Sequence, residues 1–396
     1  MTKKKIGFLI LSVGLMITLL SGALFGQNAQ KNNVYRYLSI FSEVFDLVRS
    51  NYVEPVESEK LMDGAFSGVT DAIDEFSYYV PPAQMASYKG FQDVEDNGFG
   101  FIVTKRFGYA YVIATVAGSP AEKAGIERGD FLEKIDGQPT MRMAIWQIRD
   151  ALHKNRPLKL QVLRGGETHR DEVTVAPAAF HPVALKSDTI SGIAYIKVPY
   201  FEKGTAAQFR TALDAARQRG ARKLIVDLRG NAGGSIDEAI TAADDLLSGG
   251  VITSLEGRRV DPKRWQADRE TSYDGELEVL TDTSTASGAE IFASAIRGNN
   301  RGKVIGVTTY GKAIVQKFIP LPSGGGVQMT IGHYTTPDLK AIGDAGVKPD
   351  VSVDLSAQAL DESEAKKGKA KKKPEEDLIL EKALQLFGAP ALKKAA

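Results

Sequence analysis

Apolar residues return every three or four positions from 35 to 50 (Tyr35, Leu38, Phe41, Val44, Phe45, Val48), the spacing of one helix face. A second helical segment is read from Ser58 to Ile73, after which Asp74 to Pro82 reads as a turn. Beyond residue 96 the pattern breaks into short strands: Gly98 to Val103, Tyr109 to Val116, Phe131 to Ile135, Leu158 to Leu163 and Glu172 to Ala176. Gly118-Ser-Pro-Ala-Glu-Lys-Ala-Gly125 and Asp136-Gly137 punctuate them, and Met143 to Lys154 returns to helical spacing. A strand (Ile193 to Val198) and an amphipathic helix (Thr205 to Gln218) lead into Lys223-Leu-Ile-Val-Asp-Leu-Arg-Gly-Asn-Ala-Gly-Gly234. Here a continuous apolar strand meets a glycine turn and a helix from Ser235 to about Leu247. A strand without alternation is apolar on both faces, so the pattern predicts a β-α-β unit in a covered, mostly parallel sheet. Val327 to Ile331 adds a strand. After Lys366 to Lys373, a lysine-rich run too polar to bury a core, Leu378 to Phe387 reads as a short closing helix.

The amino terminus carries a different pattern. Lys3-Lys4-Lys5 precede Ile6 to Gly26, an uncharged stretch of 21 residues. On a helix it spans about 30 Å, one hydrocarbon core, and the basic flank assigns the rest of the chain to the far side of the membrane. A cleaved signal peptide is the rival reading, with Ser21-Gly-Ala23 as small residues for cleavage. At 396 residues the chain has room for two or three domains, and its net charge of +1 argues against nucleic acid as a partner. Without cysteine there is no disulfide, thiolate nucleophile or cysteine metal site.

Two stretches concentrate the chemistry. Thr281-Asp-Thr-Ser-Thr-Ala-Ser-Gly-Ala-Glu-Ile291 runs from an extended apolar segment into a helical pattern, which sets Ser287 at a strand-to-helix turn. A helix beginning there offers unpaired N–H groups and a positive dipole end to developing negative charge. Tyr310-Gly-Lys-Ala-Ile-Val-Gln316 supplies Lys312 among small and apolar neighbours. Desolvation favours the neutral amine, the only form able to take a serine proton, and Gln316 can orient it without adding charge. The plain alternatives are a helix cap for Ser287 and a solvated charge for Lys312. His153, His169, His181 and His333 are scattered, with no His-Glu-x-x-His, so zinc is not expected and no cofactor is called for. A serine–histidine scheme would have to use His333. Gly230-Asn-Ala-Gly-Gly234 lacks the spacing of a phosphate-binding loop.

Ser287-Gly-Ala-Glu-Ile291 followed by Gly311-Lys-Ala-Ile-Val-Gln316 resembles the carboxyl-terminal processing peptidases, tail-specific proteases of family S41 that use a serine–lysine pair. The family reads Ala-Ser where this chain has Gly288-Ala289, and Gly where it has Ala313. Residues 96–177 resemble a PDZ domain, with Gly98-Phe99-Gly100-Phe101 as the loop that holds a peptide carboxylate. The resemblance implies a multidomain α+β protein: 1–34 membrane or signal segment, 35–95 helical region, 96–177 PDZ-like domain, 178–355 crotonase-like α/β protease core, 356–396 charged linker and helix. It implies Ser287 as nucleophile, Lys312 as base, and Gly233 or Gly234 with Gly288 as oxyanion donors. Expected partners are protein or peptide carboxyl termini, the membrane through the first segment, and a second copy of the chain. The expected location is the cell envelope, anchored in the inner membrane with the catalytic part outside the cytoplasm, or free in the periplasm. An inactive PDZ-type scaffold and an acyl-CoA enzyme are the other readings.

Overall fold

The computed structural model describes residues 16, 33–88, 98–116, 118–164, 169–179, 183–268, 270–343, 345–356 and 377–390. Residues 1–69 and 70–396 form two compact units. In the first, helix α1 covers residues 33–51 and leaves Tyr35, Leu38, Phe41 and Val44 exposed; α2 (Ser58–Asp71) begins there and ends in the second unit. The apolar segment 6–26 lies outside the described residues except for Met16. Among the described residues no helix is long and apolar enough to cross a membrane.

The second unit opens with a correction to the sequence reading. The expected turn from Asp74 to Pro82 contains a strand, β1 (Tyr78–Val80), so residues 35–95 are not wholly helical. Three residues are too few to show a period; the pairing of β1 comes from a distant hairpin, described below. Helix α3 (Met85–Tyr88) follows. Then come β2 (Phe101–Arg106), β3 (Tyr109–Thr115), α4 (Pro120–Lys123), β4 (Phe131–Ile135), β5 (Gln138–Pro139), α5 (Ile145–His153), β6 (Leu158–Arg164) and β7 (His169–Val175). Their antiparallel sheet has the order β2-β3-β4-β6-β7, with β5 on β4. Its core (Phe99, Phe101, Val112, Leu132, Ile148, Leu160) continues into Tyr78, Val80 and Tyr88.

The remainder builds a parallel sheet. In chain order it comprises β8 (Lys186–Ile190), β9 (Ile193–Lys197), α6 (Thr205–Gln218), β10 (Lys223–Asp227), α7 (Ile236–Asp244), β11 (Val251–Glu256), β12 (Lys263–Gln266), β13 (Glu276–Thr281), α8 (Gly288–Gly298), β14 (Lys303–Gly306), β15 (Ile314–Pro320), β16 (Gly326–Thr335), β17 (Val351–Ser352) and α9 (Leu378–Leu386). The order is β17-β14-β13-β10-β9-β8, every neighbour parallel except β8 and β9. Leu224, Val226, Leu277 and Val279 face α6, α7 and α8, while Ile225 and Leu280 face α9. Both faces are covered, which is why these strands read as unbroken apolar runs. Each large side chain so buried contributes about 1.5–3 kcal/mol relative to exposure. A third sheet joins β15, β16, β11 and β12, and β1 pairs antiparallel with β16 at Gly326 to Gln328.

Candidate active site

The nucleophile turn lies where β13 gives way to α8. Ser287 has φ 54° and ψ −120°, a conformation that costs a non-glycine residue about 1–3 kcal/mol. Neighbouring bonds hold it there: Ser287 N–H donates to Glu290 Oε2 at 2.9 Å, and Ala286 N–H donates to the Asn231 carbonyl at 3.0 Å. Ser287 is the N-cap residue of α8, and Glu290, three residues on, reaches back to its N–H as a capping-box acid does. Gly233 lies directly against it. A β-carbon there would sit 2.6 Å from Ser287 Cβ and 3.1 Å from Oγ, so only glycine permits the approach. Of the three glycines singled out for the oxyanion, Gly233 already donates its N–H to Asn231 Oδ1 at 2.8 Å. Those of Gly234 and Gly288 meet no acceptor among the described residues.

Asp282 ties this turn to its surroundings. Its Oδ1 accepts from the N–H groups of Gly230 (3.1 Å), Ser284 (2.9 Å) and Thr285 (3.0 Å), and its Oδ2 accepts from Arg128 at 2.5 Å. Ser284 donates its hydroxyl to the Ile113 carbonyl on β3 at 2.7 Å. The antiparallel domain therefore grips the nucleophile turn at two points.

Lys312 lies just before β15, and its backbone reaches the same site through Glu290. That carboxylate, fully buried, accepts from Lys312 N–H (2.8 Å), Gly311 N–H (2.6 Å) and Thr309 Oγ1 (2.5 Å) besides Ser287. Ser287 and Lys312 donate to one oxygen, which brings their nitrogens within two hydrogen-bond lengths of each other. Burial pushes the Glu290 pKa up to about 7 against the pull of these donors. Three of the four are backbone N–H groups, which only donate, so the carboxylate is the form that satisfies them.

The lysine amine lies over an aromatic ring. Its Nζ lies 5.6 Å from the centre of the Phe76 ring, with no hydrogen bond to the Ser287 hydroxyl among the described residues. Desolvation first, then the charge of Arg149 on α5, bring its pKa down to about 7, while Glu75 and Glu290 oppose the shift. Gln316 follows a bulge in the β15–β16 pairing and donates Nε2 to the Phe76 carbonyl at 2.7 Å, not to Lys312. Phe76 is itself set by Asp74, whose Oδ1 accepts from Phe76 and Ser77 N–H at 2.8 and 2.6 Å. Tyr310 donates its hydroxyl to Glu75 at 2.8 Å.

Sequence reasoning passed over Glu290, Phe76, Glu75, Arg149, Asn231 and Asp282. Glu290 alone had a signal, standing three residues after Ser287 where a capping-box acid belongs. In the expected carboxylate loop, Gly98 and Gly100 have φ of 67° and 77°, and Phe99 and Phe101 point into the core. The Gly100 carbonyl accepts from Val116 N–H at 2.7 Å and from Ser119 Oγ at 3.2 Å. His333 is exposed on β16, and among the described residues no group of His, Asp and Glu is arranged to hold a metal.

Residues 192–353 match the family model for peptidase family S41, and residues 111–164 match a PDZ domain. The chain is 29% identical over 361 residues to the carboxy-terminal-processing protease of Bartonella bacilliformis, covering 89% of this chain and 83% of that protein. It is 29% identical over 331 residues to the carboxy-terminal processing protease CtpA of Bacillus subtilis, covering 79% and 68%. Among solved structures, the photosystem II D1 C-terminal processing protease superposes with a TM-score of 0.63 at 23% identity, over 80% of this chain and 92% of that one, a likeness of fold.

Proposed function

We propose that this chain, which belongs to peptidase family S41 and carries a PDZ domain, captures a protein's free carboxyl terminus in that domain and cleaves the substrate through Ser287 and Lys312. The observation that supports the residue assignment is the shared Glu290 oxygen, which anchors the backbone N–H groups of Ser287 and Lys312 beside two glycine N–H groups that meet no acceptor among the described residues. Ser287 Oγ attacks the scissile carbonyl carbon as its proton passes to neutral Lys312. The oxyanion takes the N–H groups of Gly234 and Gly288, and Gly233 supplies the close approach. Lys312 then returns the proton to the leaving amine, and water, deprotonated by the same amine, releases the acyl-enzyme. For the first transfer the amine must come within hydrogen-bond reach of Ser287 Oγ. Gln316 acts through Phe76, as a positioning residue for the amine.

The apolar stretch 6–26 supports an envelope location, with the peptidase outside the cytoplasm on an anchor in the inner membrane. Exposed Tyr35, Leu38, Phe41 and Val44 on α1 support association with a second copy of the chain. The deciding experiment offers one unfolded protein with a free and with an amidated carboxyl terminus. The proposal requires preferential cleavage of the free acid, because backbone N–H groups at Gly98 to Phe101 would lose a charged acceptor. Equal cleavage would overturn tail capture, and absence of any cleavage dependent on Ser287 would overturn the site.

A further inference from the structure

We infer that helix α9 clamps the oxyanion loop, and that Asp377 at its start is a positioning residue for the reaction proposed above. The inference rests on that reading. Asp377 has two separate tasks. One oxygen accepts from Leu380 N–H at 3.0 Å and caps α9. Both oxygens also take the Arg229 guanidinium, Oδ1 from Nη1 and Oδ2 from Nη2 at 2.9 Å. Arg229 belongs to the glycine loop. Its Nε and Nη2 hold Asp227, the fully buried last residue of β10, at 2.9 and 2.6 Å. Lys197 secures the Arg229 carbonyl at 2.6 Å.

From Arg229 the bonds run without interruption to the nucleophile. Gly230 N–H reaches Asp282, Asn231 Oδ1 holds Gly233 N–H, and the Asn231 carbonyl holds Ala286 N–H, one residue before Ser287. A rigid loop matters because oxyanion donors act only where their geometry is fixed beforehand. The helix itself is held by other means. Ile379, Leu380, Ala383, Leu384 and Phe387 pack on Ile225, Leu280 and Ile305, and Lys223 donates to the Phe387 carbonyl at 2.7 Å. Asp377 can therefore be altered without removing what docks α9.

The experiment uses full-length Asp377→Ser, which keeps a capping oxygen but loses the ion pair, beside Asp377→Ala, which loses both. Hydrolysis of a small ester gives kcat and KM, and a fluorophosphonate reports Ser287 reactivity. The expected result is a drop in kcat of about tenfold in both variants, with KM unchanged and a lower melting temperature only for alanine. Labelling of Ser287 should slow in parallel. Wild-type kcat in Asp377→Ser, or a loss confined to the alanine variant, would reduce Asp377 to a helix cap and overturn the inference. If the wild-type chain itself resists the fluorophosphonate, the peptidase reading falls and takes this clamp with it.

Discussion

The two halves of the site are built to different standards. Around Ser287 the backbone is committed on all sides: a strained φ held by Glu290, Ala286 held by Asn231, and the preceding turn held by Asp282. Around Lys312 only the backbone is committed, through Glu290, while the amine rests near Phe76 without a hydrogen bond to its intended partner. The nucleophile turn is held by hydrogen bonds, and the amine of the base is held by packing. A serine needs a defined attack angle, which rigidity provides, whereas the lysine must first be neutral, which burial near Arg149 provides.

The largest effect should come from removing either half. Ser287→Ala and Lys312→Ala should each lower kcat for peptide cleavage by at least about a thousandfold, and the double variant should be no slower, because the pair acts as one unit. Lys312→Arg should be as inactive, since a guanidinium keeps its proton. Circular dichroism should show all of them folded. Glu290→Gln comes next. A carboxamide cannot accept from every donor that the carboxylate serves, so turnover should fall about a hundredfold as the halves lose register. Unlike the first variants it should also unfold more easily, at about 1–3 kcal/mol for each donor left without an acceptor. Normal melting with normal turnover would remove Glu290 from its place between the halves.

What the sequence disclosed follows the same division. Local, contiguous signals were legible: the apolar run of β10, the glycine turn after it, and the residues from Ser287 to Glu290 at a strand-to-helix boundary. Contacts made across long separations were not. Phe76 meets Lys312 and Gln316 across some 240 residues, and β1 pairs with a hairpin equally distant; three residues of strand carry no period from which to infer this. Gln316 was expected to touch the lysine because it lies four positions away. Lys312 precedes β15 and Gln316 lies within it, so the spacing does not guarantee contact, and the bulge between Val315 and Gln316 accompanies a side chain aimed at Phe76.

Charge on the lysine side gives a smaller but signed effect. Lys312 must be neutral to accept a proton, so kcat/KM should rise with pH through about 7 and level off above it. Arg149 lowers the amine's pKa and Glu75 raises it. Arg149→Ala should therefore move the acid limb to higher pH, and Glu75→Gln should move it to lower pH. Profiles shifted in the same direction by both variants would mean that the limb belongs to another group.

The smallest effect should belong to Gln316, and it probes how the lysine half is steered. Gln316→Ala deletes one hydrogen bond, from Nε2 to the Phe76 carbonyl, and leaves the amine, its burial and the Glu290 anchor in place. A single such bond contributes roughly 0.5–1.5 kcal/mol, so kcat should fall by about two- to tenfold with KM unchanged. The acid limb should stay where it is, because no charge near Lys312 has been altered. A faster variant would carry the opposite message. It would mean that Phe76, held by Gln316, restrains the amine, and that the resting position of Lys312 is a brake on the reaction and not a step toward it.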